Sequence, residues 1–191
     1  MAARPSPANR SSTSKPLGPL VNSTPTTLIS ASASCAGTHL ITLGSRSIVQ
    51  LRARLTSTYG PVGVGEGCII SERASIGLLS PPRNEREAEG VTISRGVLIE
   101  SCAVVEGASI GAYTIIEAGA KIGKGAVVGS NSKVCVGVEI GEGMVVEDDT
   151  VVYGSGWGER RKEKEGVGLD GMRRLWVELQ EDALRRMWTG K

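Results

Sequence analysis

One aliphatic residue in every six constrains this chain more than anything else in it. The series runs Leu43, Val49, Leu55, then Val64, Ile70, Ile76. After a break it resumes as Ile93, Ile99, Val105, then Ile110, Ile116, Ile122, Val128, Val134, Ile140, Val146 and Val152. All seventeen of these anchors are Leu, Ile or Val. Four residues beyond an anchor the side chain is small, as at Ser47, Ala53, Ala74, Ala103, Thr114, Ala120, Ala126, Ser132 and Thr150. Tyr59 and Met144 break that second pattern. The position directly after an anchor is often Gly or Glu: Gly65, Gly77, Glu100, Glu117, Gly123, Gly141, Glu147.

A period of six fits neither the 3.6 of a helix nor an unbroken strand. It fits a short strand followed by a turn, with three such units closing one triangular coil. The predicted fold is therefore an all-β solenoid, a single-stranded left-handed parallel β-helix of hexapeptide repeats, followed by a C-terminal amphipathic α-helix. In this reading the anchors point inward and stack from coil to coil, and the small residue sits near a corner where bulk would collide. Glycine after the anchor supplies backbone freedom for the turn. No coil buries its own apolar face, so stability comes from stacking. The anchors make about six coils, and Leu28 to Ile41 adds a degenerate first one. Composition agrees: with 26 Gly, no Phe and only three Tyr and three Trp, the core must be aliphatic rather than aromatic.

At 191 residues the chain suits one domain. Residues 1–24 are rich in Pro, Ser and Ala without apolar periodicity and read as a disordered arm. The first acidic residue is Glu66, and Arg4, Arg10 and Lys15 give the arm the composition of a mitochondrial presequence. Pro5, Pro7, Pro16 and Pro19 oppose the helix such a signal needs. The β-helix is expected over 25–157. Its repeat stretches between Leu55 and Val64, tightens between Val105 and Ile110, and is broken by a charged, Pro-containing insertion at 78–90. That insertion reads either as a solvated excursion or as a partner contact. Residues 158–168 are charged and Gly-bounded, a linker. Residues 169–191 change period: Met172, Leu175, Trp176, Leu179, Ala183, Met187 and Trp188 share one helical face. This helix must dock on an exposed coil edge, a flat side of its own β-helix, or a partner. Met172, Trp176, Leu179 and Trp188 are the expected partner-binding residues.

A net charge of +2 gives no electrostatic reason to expect a nucleic-acid partner, and no apolar run approaches the ~20 residues that span a bilayer. Cys35, Cys68, Cys102 and Cys135 lie 33 or 34 residues apart without a close pair. They read as free thiols of a reducing compartment rather than a zinc site or disulfide framework. Hexapeptide β-helices include acyltransferases that use a His base and γ-class carbonic anhydrases that hold zinc with three His. This chain has one histidine, His39, in the irregular first coil. No catalytic, cofactor-binding or metal-binding residue is assigned. A γ-carbonic-anhydrase-like or acyltransferase-like protein, inactive and self-associated as a trimer, stays open as the alternative.

The order of segments carries a resemblance. An acid-poor start is followed by TLGSRSIVQLRARL (Thr42 to Leu55), GPVGVGEGCIISERASI (Gly60 to Ile76) and a loop. Regular hexads then end in EDDTVVYG (Glu147 to Gly154), with a linker and an amphipathic helix after them. Over about residues 28–188 this resembles the dynactin subunit 6 family, the small hexapeptide-repeat subunits at the pointed end of dynactin. The arm at 1–24 and the first coil around Gly37-Thr38-His39 depart from that pattern. The resemblance implies a non-catalytic scaffold without cofactor. It implies as partners a sister hexapeptide-repeat subunit and the pointed-end actin-related protein, with dynein cargo adaptors recruited indirectly. It also implies a cytoplasmic, microtubule-associated setting.

Overall fold

The computed structural model describes residues 20–81, 90–154, 159–162 and 169–189. Each hexad forms a strand of two to four residues and then turns, so successive strands fall on three different faces. The first face stacks Val21–Ser23, Ile41–Leu43, Val62–Val64, Val91–Ile93, Ser109–Ile110, Val127–Val128 and Val145–Val146. The second stacks Leu28–Ile29, Ile48–Val49, Ile69–Ile70, Leu98–Ile99, Ile115–Ile116, Lys133–Val134 and Thr150–Tyr153. The third stacks Ser34–Gly37, Arg54–Ser57, Ser75–Gly77, Val104–Val105, Lys121–Ile122 and Glu139–Ile140. Neighbours within each face pair in parallel, giving a β-solenoid of six complete coils and a partial seventh.

The register follows the anchors. Leu43 pairs with Val64, Val64 with Ile93, Ile93 with Ile110, and so on to Val146. Every anchor is at most 3% exposed, and all seventeen belong to one continuous core. The changes of spacing are absorbed at corners. Where the repeat shortens to five, Ser109 stands four after Val105 but faces out, and Ala108 takes the buried place.

The small positions form three columns of different chemistry. Ala53, Ala74, Ala103 and Ala120 make a dry column before the third face, each fully buried. The equivalent positions at the first face are Ile41, Val62 and Val91, which open its strands, and then the small Ala108 and Ala126. The column before the second face carries hydroxyls at Ser47, Thr114, Ser132 and Thr150, with Cys68 and Val97 between the first two. The Ser47 hydroxyl donates to the Gly65 carbonyl (2.7 Å), and the Thr114 hydroxyl donates to that of Gly129 (2.7 Å). Ser132 N–H donates to Thr114 Oγ1 (3.3 Å), and Thr150 N–H to Ser132 Oγ (3.1 Å). Each hydroxyl satisfies backbone groups of the adjoining coils that water cannot reach.

The turn works differently from the expectation. The residue in the left-handed region is the third after the anchor: Gly67, Gly96, Gly119, Gly125, Gly137 and Gly143, but also Arg46, Arg52, Arg73, Cys102, Tyr113, Asn131 and Asp149. Glycine directly after an anchor serves close approach, as at Gly65, and at Gly77 (φ 133°) it also takes a positive φ. A Cβ on Gly65 would lie 2.7 Å from the Arg95 amide nitrogen, and its φ is not in the left-handed region.

Two boundaries shift. Val21–Ser23, assigned by composition to the arm, pairs with Ile41–Leu43 because the neighbouring strand offers an unfilled backbone ladder; residues 1–19 lie outside the described residues. Within the expected linker, Glu159–Lys162 pairs antiparallel with Thr150–Tyr153 and closes the last edge of the second face. Most of the 78–90 insertion, residues 82–89, falls outside the described residues.

Helix α1, Leu169–Thr189, lies along the flat second face. It runs counter to the coils. The Arg173 guanidinium donates to the Asn131 carbonyl in the sixth coil, and Arg185 Nη2 donates to the Thr26 carbonyl in the first (2.8 Å).

Candidate protein-interaction surface

The outward residue of each strand is polar or small on most of the solenoid. On the second face it is Ile48, Ile69, Leu98 and Ile115, an apolar stripe that recurs once per coil. Helix α1 covers this stripe, packing Val177 and Leu184 on Ile69, Leu98 and Ile115. The stripe is the signal that the sequence reading passed over: from the second coil to the fifth, the residue before the anchor is Ile or Leu only at Ile48, Ile69, Leu98 and Ile115, and that marks the docking face.

The rest of the inner side of α1 is polar. Glu181 is only 3% exposed. Its carboxylate accepts from Arg46 Nε and Nη2 (both 3.1 Å) and from Arg185 Nε (2.6 Å). Arg46 comes from a solenoid corner in the left-handed conformation (φ 61°), so the clamp joins coil two to the helix. Two arginines around the carboxylate leave no buried negative charge unpaired, and the excess positive charge sits on the half-exposed Arg46.

The inner side of α1 is thus Arg173, Val177, Glu181 and Leu184, not the apolar face that the sequence picked out. That face points away. Met172, Trp176, Leu179 and Trp188 are 66%, 54%, 57% and 41% exposed, and Leu175 and Met187 extend the stripe. Met172, Trp176 and Leu179 share one open helical surface, whereas Trp188, four residues after Leu184 and seven after Glu181, lies on the azimuth of the inner side near the end of the helix and is still exposed. Helix docking is held by two aliphatic side chains, an ion-pair clamp and the Arg173 and Arg185 hydrogen bonds to solenoid carbonyls, while larger apolar groups remain in solvent.

Beside the helix, Tyr113 holds two guanidinium groups against its ring, that of Arg174 at 4.4 Å and that of Arg95 at 5.5 Å from the centroid. These residues flank a cleft of about 400 Å³ between α1 and the corner.

His39 is exposed in the first coil, its Nδ1 2.8 Å from the Ser57 carbonyl oxygen. Among the described residues no three His, Cys, Asp or Glu side chains gather as a metal site. The four cysteines are free, and burial pushes the Cys68 thiol up to about 11. Among the described residues no helix is long and apolar enough to cross a membrane.

No protein-family model matches the chain. Dynactin subunit 6 of Danio rerio is 30% identical over 120 residues, which is 60% of this chain and 62% of that protein. Dynactin subunit 6 of Xenopus tropicalis is 26% identical over 119 residues, 60% of this chain and 59% of that protein. This chain resembles dynactin subunit 6. The match spans about three fifths of the length of the dynactin subunit 6 relatives. A hexapeptide transferase family protein from Anaplasma phagocytophilum superposes with a TM-score of 0.71 at 15% identity, covering 90% of this chain and 95% of that one. That likeness is one of fold.

Proposed function

We propose that this chain is a non-catalytic scaffold subunit of a dynactin-type pointed-end assembly, supporting dynein-driven transport along microtubules and the recruitment of cargo adaptors. The observation that carries the reading is the outward apolar face of α1. Met172, Trp176 and Leu179 stand exposed on the side of the helix away from the solenoid, and Trp188 is exposed near its C-terminal end. A helix of 21 residues is about 30 Å long, enough to present such residues as anchors, and tryptophan is enriched at interface hot spots. The partners proposed on the strength of the dynactin subunit 6 resemblance are a sister hexapeptide-repeat subunit and the pointed-end actin-related protein. Adaptors are engaged through them, and the setting is cytoplasmic and microtubule-associated. Two further contact elements belong to the proposal: the first-coil strand edges, which no strand among the described residues pairs, and the 78–90 insertion.

The test is purification of the tagged full chain from its own cells at low salt, with mass spectrometry of the companions. Actin-related proteins and a second hexapeptide protein at matched abundance are expected from the native chain, and their loss is expected from Trp176→Ala/Trp188→Ala. A homotrimer alone, or recovery unaffected by the double substitution, overturns the assignment.

A further inference from the structure

The cleft between α1 and the solenoid corner is built from a gap in one column of turn residues. The column runs Arg46, Gly67, Gly96, Tyr113 and is in the left-handed conformation throughout. Gly67 and Gly96 contribute no side chains, so the floor between Arg46 and Tyr113 is bare. The Tyr113 ring leans over that floor, and a Cβ on Gly96 would lie 2.6 Å from its Cδ1 and Cε1. A bulky residue is disfavoured in this backbone region, so the fold keeps the ring there against its own preference.

The charges around the cleft are unevenly spent. Glu181 is occupied by Arg46 and Arg185, and Glu66 accepts the Ser45 hydroxyl (2.9 Å). Glu178 also lines the cleft. Arg95 and Arg174 meet at the Tyr113 ring, and among the described residues neither is in an ion pair with a carboxylate. Two like charges gathered at one aromatic ring form an incomplete constellation. One carboxylate completes it, since planar guanidinium and carboxylate match in a two-bond geometry. At about 400 Å³ the cleft admits a side chain and some of its backbone.

We infer that this cleft receives an acidic side chain from a partner polypeptide, with Arg95 and Arg174 as its receptors and the Tyr113 ring orienting them. The inference rests on the reading of α1 as a docking element. It adds that the partner segment carries Asp or Glu where it passes the corner beside Arg174.

The probe is a hexaglutamate peptide, titrated calorimetrically into the full chain at low ionic strength, with hexaglutamine as control. Binding of hexaglutamate alone is expected, weakened tenfold or more by Arg95→Gln/Arg174→Gln and left within twofold by Trp176→Ala/Trp188→Ala. Should the double arginine variant fail to fold, Arg174→Gln alone, on the exposed side of the helix, is expected to weaken binding at least threefold. No binding to the native chain, or equal binding to the arginine variants, overturns the proposal. Inorganic phosphate binding as tightly as the peptide overturns it too, by making this a free-oxyanion site. The Trp variant reports on the helix face and the Arg variants on the cleft, so the failure of one is distinguishable from the failure of the other.

Discussion

Arg46 and Glu181 lie 135 residues apart in sequence and meet through two charge-assisted hydrogen bonds, both of 3.1 Å. The carboxylate is buried while the guanidinium is about half exposed. Solvent therefore weakens the attraction from one side only, and the burial cost falls on Glu181. Glu181→Gln keeps the shape and removes the charge, leaving Arg46 and Arg185 facing a neutral amide. We expect a loss of about 1–2 kcal/mol, confined to helix docking. Limited proteolysis is expected to cut within 169–189 sooner than in the native chain while the solenoid survives. Unchanged cleavage there would show that the clamp does not hold the helix.

Ile116 is a fully buried anchor at the centre of the stack. Ile116→Asp buries an unpaired charge among aliphatic neighbours, and the expected cost exceeds about 4 kcal/mol. Ile116→Val removes one methylene and should cost about 0.5–1.5 kcal/mol. Thermal unfolding followed by circular dichroism checks both. An aspartate variant that melts cooperatively at the native temperature contradicts the inward register.

Thr114 donates to the Gly129 carbonyl and accepts from the Ser132 amide. Thr114→Val keeps the shape and removes both bonds, stranding a buried carbonyl and a buried amide. The expected loss is about 1–3 kcal/mol. In the alanine column, Ala120→Val fails for the opposite reason, overpacking, at about 1–3 kcal/mol. Denaturant titration compares the two. A neutral Thr114→Val would mean that the hydroxyl ladder contributes nothing.

Arg52 is exposed and left-handed (φ 58°). Arg52→Asn places a residue that tolerates this conformation, and a gain of about 0.5 kcal/mol is expected. Gly65→Ala is expected to destabilise although its φ is ordinary, because the new methyl meets the next coil's backbone at 2.7 Å. Melting temperatures moving in opposite directions are the expected result. A destabilising Arg52→Asn would locate the turn's constraint elsewhere.

Burial holds the Cys68 thiol up at about 11, whereas Cys102 stands exposed on a turn. At pH 8 the Cys68 thiolate is scarce and sterically closed. Labelling with a maleimide under native conditions is expected at Cys102 and not at Cys68, which should react only on unfolding. Peptide mapping reads the two sites. Rapid native labelling of Cys68 would indicate that the corner column opens.

The solenoid was legible because its repeat acts locally. An aliphatic anchor every six residues has one place to go, and all seventeen went there. The turn chemistry was half legible. Glycine after the anchor is visible in sequence, but its role depends on the coil stacked next to it, as Gly65 against Arg95 shows. The strand Val21–Ser23 was hidden because nothing in its three residues demands a strand; the ladder on Ile41–Leu43 supplies the reason. The C-terminal helix was evident from its period, and its orientation was not. Apolar residues on both Val177–Leu184 and Trp176–Leu179 sides left the choice of docking face to the platform.

By itself, then, the sequence determined a stacked-coil core, a terminal helix and the absence of a three-histidine set within this chain, since each follows from residue type at fixed spacing. The tertiary structure alone decided which side of the helix faces the solenoid. The apolar stripe Ile69, Leu98 and Ile115 and the Arg46–Glu181 pair bring together groups from coils two to five and from the helix. Burial of that carboxylate is tolerable in one docked orientation only. That orientation leaves Met172, Trp176, Leu179 and Trp188 in solvent.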